Sequence, residues 1–222
     1  MENILVISAH PDDETFGAGG TIAKLVKMKK NVYWCVVTKP YPPDWTEDVI
    51  KVKRKEALNA ARILGFKEIY FLEYPTAKLD TIPIKSLADE FTRLVKDLEP
   101  DTVFIPFKGD MNQDHKRVFD AMIISSKPIP TQSVKRVISY ETPSSTEYSE
   151  KLCSNIFIPN LYVDITNEIK TKIESAKCYK TELKEFPHPR SLDGIIIKAK
   201  LRGMEVGVPM AEAFMIMRWI EK

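Results

Sequence analysis

The sequence predicts an α/β protein: a doubly wound, mostly parallel sheet flanked by helices, with a smaller α+β extension at the C-terminal end. Three observations predict it. Apolar runs rich in Val, Ile and aromatic residues alternate with stretches of helical spacing through the first two thirds of the chain. Those runs are nearly continuous rather than alternating, as expected of strands buried on both faces. The 222 residues suit a single domain, 1–222, with no linker, repeat or low-complexity tract. This combination is Rossmann-like, with helices covering a parallel sheet on both sides.

The elements follow in order. Residues 3–8 (NILVIS) are the first strand. Residues 17–30 form a helix after a glycine-rich turn, and 31–38 (NVYWCVVT) the second strand. A helix over 46–64 carries Val49, Val52, Ala57, Ala60, Ala61 and Leu64 on one side and stops at Gly65. Residues 68–72 are a strand, 83–98 a helix opened by Pro83, and 102–106 a strand. A helix over 115–126 and a strand over 134–140 complete the regular part. Residues 127–161, rich in Pro, Ser and Thr, otherwise predict surface loops. Helices over 166–183 and 191–203 and a strand over 212–220 make up the extension.

Composition excludes several classes. Net charge is +2, from 33 basic and 31 acidic residues, with no basic block, so nothing marks a nucleic-acid footprint. No apolar run approaches the roughly 20 residues of a membrane span. The start, Met1-Glu2-Asn3, enters a strand directly, and the expectation is a cytoplasmic protein. Cys35, Cys153 and Cys178 are scattered, without a C-x-x-C, so neither a disulfide framework nor a cysteine zinc site is indicated.

The chemistry concentrates where the first strand ends, at Ala9-His10-Pro11-Asp12-Asp13-Glu14. Three adjacent acids repel one another unless a cation sits among them. A second polar cluster, Gly109-Asp110-Met111-Asn112-Gln113-Asp114-His115, follows the fourth strand. Ligands of open α/β sheets bind off the carboxyl ends of the strands at the switch in strand order. In the order 3-2-1-4-5 the first and fourth strands are neighbours there, so the two clusters meet. Two of the chain's three histidines, His10 and His115, lie in them; the third, His188, lies in Phe186-Pro187-His188-Pro189-Arg190-Ser191. Two histidines and a carboxylate, with a further carboxylate as general base, make a hydrolytic metal site. Helix capping accounts for one of the three acids, but not for the histidine.

The "AHPDDE" and "DH" motifs, with a tail of His188-Pro189-Arg190-Ser191, Arg202-Gly203 and Ala211-Glu212-Ala213-Phe214, resemble the PIG-L / LmbE-like zinc-dependent N-deacetylases. The likeness runs through nearly the whole chain. It implies that His10, Asp13 and His115 bind zinc, with Fe²⁺ or Co²⁺ possible in their place. Asp12 is then the general base, and Asp114 orients a neighbouring group. The implied reaction is hydrolysis of the N-acetyl amide of an acetylated amino sugar or its conjugate, commonly built on glucosamine. Such relatives are often homo-oligomers. Where many of them have a histidine three positions before the second metal-binding one, this chain has Asn112, which donates a hydrogen bond but carries no charge. His188, from its own or a neighbouring chain, or Arg190 is expected to supply the missing cation. Trp45, or Tyr41 beside it, is a candidate to stack on a sugar. Arg54 is a candidate to anchor an anionic aglycone.

Rival readings are weaker. Gly17-Ala18-Gly19-Gly20 lacks the G-x-G-x-x-G of a dinucleotide site, and acids precede it where a pyrophosphate would lie. There is no G-x-S-x-G elbow. A 2-His-1-carboxylate set also serves Fe(II) oxygenases, but a spare acid at Asp12 fits hydrolysis better. Asn112 leaves open a metal-binding sugar-recognition protein that has lost its chemistry, although such a protein has no need of Asp12.

Overall fold

A computed structural model describes residues 1–221. Its strands are β1 (Asn3–Ser8), β2 (Asn31–Lys39), β3 (Glu68–Pro75), β4 (Thr102–Pro106), β5 (Arg136–Tyr140), β6 (Leu161–Asp164) and β7 (Ala211–Trp219). They form one sheet in the order β3-β2-β1-β4-β5-β7-β6. The pairings from β3 through β5 are parallel, and β7 runs antiparallel between β5 and β6. The helices are α1 (Asp13–Lys27), α2 (Glu47–Leu64), α3 (Ile84–Leu98), α4 (Gln113–Ser125), α5 (Ile169–Ala176) and α6 (Leu192–Met204). No described helix is long and apolar enough to cross a membrane.

The pleat of β1 divides the core. Leu5 and Ile7 face a cluster with Phe91 of α3 and Met122 of α4. Ile4 and Val6 face the other, with Ile22 of α1 and Ala57 and Ala60 of α2. Successive residues of a strand point to opposite faces, so a continuous apolar run supplies both layers. This packing brings the ends of β1 and β4, and the loops that follow them, side by side at one sheet edge.

The expected order of the first five strands is the observed one. Four details differ. α1 begins at Asp13, so Gly17, Gly19 and Gly20 lie inside the helix rather than in a turn before it. A Cβ on Gly17 would sit 2.4 Å from Tyr140 Cδ2, and one on Gly20 would sit 2.8 Å from Ile165. The glycines therefore set how closely α1 approaches the sheet. Glu212 of β7 then accepts the Gly20 and Thr21 N–H groups at 2.9 and 2.7 Å and the Lys172 ammonium at 2.5 Å. Secondly, the helix expected over 166–183 ends at Ala176. Tyr179 is buried, and its hydroxyl donates to Glu14 at 2.6 Å, a contact that turns the chain into α1. Thirdly, β6 lies in the stretch read as leading out of loops; three of its residues are half buried, Asp164 is exposed, and they carry little pattern. Fourthly, Val49 and Val52 are exposed while Ala57, Ala60, Ala61 and Leu64 are buried. Only the C-terminal half of α2 packs on the core; its first half overhangs the β2 end of the sheet.

Candidate metal centre

The turn after β1 delivers His10, the first residue of α1 is Asp13, and the start of α4 delivers His115, so that one candidate ligand atom from each lies within 4.8 Å of the others. Asp13 and His115 are fully buried, whereas the His10 side chain keeps 19% of its exposure. His10 Nδ1 and His115 Nε2 face each other at 3.3 Å, and Asp13 Oδ1 lies 3.2 Å from His115 Nε2.

The other ring nitrogens settle the tautomers. His10 Nε2–H donates to Asp114 Oδ2 at 3.0 Å, and His115 Nδ1–H donates to Asp110 Oδ2 at 3.0 Å. A carboxylate only accepts, so each of those nitrogens carries the proton. Each opposite nitrogen is left to turn its lone pair into the site, the usual support for metal-binding histidines. Asp114 is itself fixed by the N–H groups of Ala77 and Leu79 at 2.7 and 3.1 Å. Asp13 Oδ1 is buried and accepts no hydrogen bond. An orphaned buried carboxylate oxygen opposite two lone-pair nitrogens fits a divalent cation, and the His/His/Asp donor set suits zinc, iron or cobalt.

The charges respond to this crowding. Burial alone lowers the His10 pKa, but Asp114 and Asp13 overcome it and lift it to about 9. Burial likewise opposes protonation of His115, and Asp13 and Asp110 raise it to about 10. Asp13 is held well below the usual carboxylate range against its burial by the two histidines. Asp12 goes the other way. Burial pushes its carboxyl well above the usual range, which the Arg190 guanidinium only partly offsets.

Asp12 stands just before α1 but does not cap it with its side chain. Its backbone sits at φ 126°, a conformation that costs a non-glycine residue of order 1–3 kcal/mol. That turn directs the carboxylate into the cleft beside the metal ligands. Oδ2 accepts from Arg190 Nη1 at 3.0 Å, and Oδ1 is buried without a partner. The same Arg190 nitrogen donates to Glu182 at 3.0 Å, and Glu182 is also paired with Lys53.

The cleft over this centre encloses about 220 Å³ and is lined by His10, Asp12, Trp45, Asn112, Glu182 and Arg190, among others. Asn112 caps α4 by accepting the Asp114 N–H through Oδ1 at 2.9 Å. Its NH₂ is therefore the end left for the cleft.

Of the residues expected at the site, the fold gathers His10, Asp12, Asp13, Asn112, Asp114, His115, Arg190 and Trp45. Two expected residues lie elsewhere. His188 does not line the cleft; its Nδ1 accepts the Arg190 N–H at 3.1 Å and its ring meets Tyr148 edge-on at 6.3 Å, so it shapes the turn that presents Arg190. Arg54 borders a neighbouring cavity, stacked on Phe71 with its guanidinium 3.1 Å from the ring centroid. Sequence reasoning missed Asp110, Lys53 and Glu182. Asp110 had a signal, five residues before His115 on the loop that leads into α4; Glu182 had none, because the chain around it is irregular.

Known proteins resemble this chain along most of its length. A deacetylase of Escherichia coli K12 called YaiS, itself uncharacterized, is 27% identical over 186 residues, covering 81% of this chain and 91% of that protein. The diacetylchitobiose deacetylase of Thermococcus kodakarensis is 23% identical over 200 residues, covering 83% of this chain and 72% of its own. The structure of the N,N'-diacetylchitobiose deacetylase of Pyrococcus horikoshii with its inhibitor superposes at a TM-score of 0.76 and 25% identity, covering 97% of this chain and 83% of that one. The profile of the family described as PIG-L, GlcNAc-PI de-N-acetylase, matches residues 5–124, a stretch that holds both metal-site clusters. As that match spans more than half of its 222 residues, the chain belongs to the PIG-L family.

Proposed function

We propose that this chain is a metal-dependent hydrolase that removes the N-acetyl group from a small molecule containing N-acetylglucosamine, releasing acetate and a free amine. One observation carries the reading: beside the His10–Asp13–His115 group lies a second carboxylate, Asp12, that binds none of those residues and keeps one oxygen free of hydrogen bonds. A pure metal-binding module has no use for it. The relatives named as diacetylchitobiose deacetylases, and those of Bacillus species named as probable N-acetyl-α-D-glucosaminyl L-malate deacetylases, support the substrate class.

A divalent cation held by His10, Asp13 and His115, which we assign as zinc, would acidify a water and polarise the acyl carbonyl. Asp12 takes the proton of the attacking water and returns it to the leaving amine. Its burial-raised pKa suits a group that must do both. Arg190 orients Asp12 from the opposite side. The Asn112 NH₂ serves as the hydrogen-bond donor to the developing oxyanion, and Trp45 offers a face to the sugar ring.

The test is acetate release from a panel of N-acetylglucosamine conjugates, with metal content measured in parallel and Asp12→Ala alongside. We expect release from at least one conjugate, and loss of more than about 1,000-fold in Asp12→Ala with metal retained. Equal release by Asp12→Ala would refute its role. Asn112 favours one second reading, a sugar-recognition protein, because a neutral donor stabilises an oxyanion less than a cation does. Tight sugar binding with no acetate from any conjugate would select it.

A further inference from the structure

The reach of Asp12 depends on a turn that its own backbone resists. Between β1 and α1 the chain turns through His10, Pro11 and Asp12, and Asp12 sits at φ 126°. A non-glycine residue keeps such a backbone only where its surroundings enforce it. The chain before the turn is tied down: Thr38 donates its N–H and its hydroxyl to the Ala9 carbonyl at 3.0 and 2.8 Å. Within the turn Pro11 has no N–H to give, and the His10 N–H donates to Asp13 Oδ2 at 2.8 Å. The Asp12 N–H, at the strained residue itself, donates to Glu14 Oε2 at 3.0 Å.

Glu14 is the acid of the first cluster that the site leaves unused. It stands outside the His10–Asp13–His115 group and does not line the cleft, yet it is fully buried. Its other oxygen, Oε1, accepts the Tyr179 hydroxyl at 2.6 Å and the Thr15 hydroxyl at 2.7 Å. Thr15 lies in turn 3.1 Å from the Ser175 hydroxyl of α5. An acid in the first turn of a helix gains from the helix dipole at the surface without such partners. A buried carboxylate held by donors on both oxygens, one of them 165 positions away along the chain, is fixed in place.

We infer that Glu14 is a positioning residue for Asp12: anchored by Tyr179 and Thr15, it holds the Asp12 N–H and so fixes the turn that points the Asp12 carboxylate into the cleft. This deepens the deacetylase reading and rests on it for the role of Asp12 alone. Glu14 acts through a backbone N–H and stays out of the cleft. Glutamine can stand in for it, its carbonyl accepting the Asp12 N–H while its NH₂ donates to the Tyr179 oxygen. Alanine cannot.

Two arms test this. In the first, urea unfolding compares Asp12→Gly with Asp12→Ala, both of which lack the carboxylate. Glycine accepts φ 126° freely, so Asp12→Gly should unfold at the higher urea midpoint. Adding Glu14→Ala should shrink that gap by at least about half, and adding Glu14→Gln instead should keep it. An unchanged gap with Glu14→Ala overturns the inference. In the second arm, acetate release is followed on metal-loaded protein. Glu14→Ala should lower kcat about 10- to 100-fold. KM should stay within about two-fold of wild type, and zinc affinity by chelator competition within about three-fold. Glu14→Gln should recover most of the loss, and Glu14→Ala should cost nothing further in an Asp12→Ala background. A merely structural glutamate would lower the urea midpoint and leave the kcat of the folded enzyme alone. That result, or a further loss beyond Asp12→Ala, overturns the inference. If Glu14→Ala does not fold, Tyr179→Phe takes its place in both arms, with the same direction expected in each readout. If wild type releases no acetate, the deacetylase reading fails, and the urea arm still decides whether Glu14 holds the turn.

Discussion

Asp110 shows how the centre is held at the scale of single residues. Its carboxylate fixes the His115 tautomer from behind while its other oxygen accepts the Asn112 N–H at 3.0 Å. One side chain thus aims a metal ligand and shapes the loop carrying the proposed oxyanion donor. Asp110→Asn is expected to weaken zinc binding about 10- to 100-fold, read by chelator competition, with the circular dichroism of the fold unchanged. Unaltered affinity would remove Asp110 from the site. The His10–Asp13–His115 group itself was legible in the sequence because histidine is rare in this chain and each sits in a motif of acids at a strand end. Asp110 was not singled out because two aspartates, Asp110 and Asp114, share that cluster, and only packing decides which imidazole each one meets. His188, expected to act from its own or a neighbouring chain, accepts a backbone N–H two residues away within its own chain, a local contact that rarity of residue type does not foretell.

Among the elements, α1 departs furthest from local rules. Alanine is the better helix former by about 1 kcal/mol, yet glycine recurs at 17, 19 and 20 of this helix. The contact at Gly17, where a Cβ would lie 2.4 Å from the Tyr140 ring and 2.8 Å from the Glu141 carbonyl oxygen, outweighs propensity. Gly17→Ala should therefore destabilise the protein, by about 1–3 kcal/mol in urea unfolding. A rise in stability would mean that the close approach is not enforced. This is also why the helix start escaped the sequence reading: glycine predicts a turn locally, and only the tertiary contact makes it a spacer. Where periodicity was strong and the partner was the core, as in β1 to β5, order and type were readable. Short β6 and the broken end of α5 depend on distant contacts, Tyr179 with Glu14 among them, and left no periodic trace.

On the scale of the whole molecule, Glu141 ties the C-terminal extension to the sheet. It is buried at the end of β5 and accepts Arg202 Nε and Nη2 at 2.8 and 2.9 Å and Lys198 at 2.8 Å, both from α6. Burial would raise its pKa, but Arg202 and Lys198 more than reverse that and hold it below the ordinary value. Because the folded value lies under the unfolded one of about 4.3, the clamp contributes fully above that pH. Its contribution is lost as pH falls through the folded value. Glu141→Gln should cost about 3 kcal/mol at pH 7, and the gap from wild type should close in acid unfolding below about pH 4. A gap independent of pH would show that charge is not what the clamp uses. The cleft spans still more chain than this clamp, since Asp12 and its counter-charge Arg190 lie 178 positions apart. Order along a chain is also order of manufacture, with domains folding as they emerge from the N-terminal side. His10, Asp13 and His115 are all made well before Arg190, so the nascent chain carries Asp12 and that donor group while the arginine that pairs with Asp12 is still unmade.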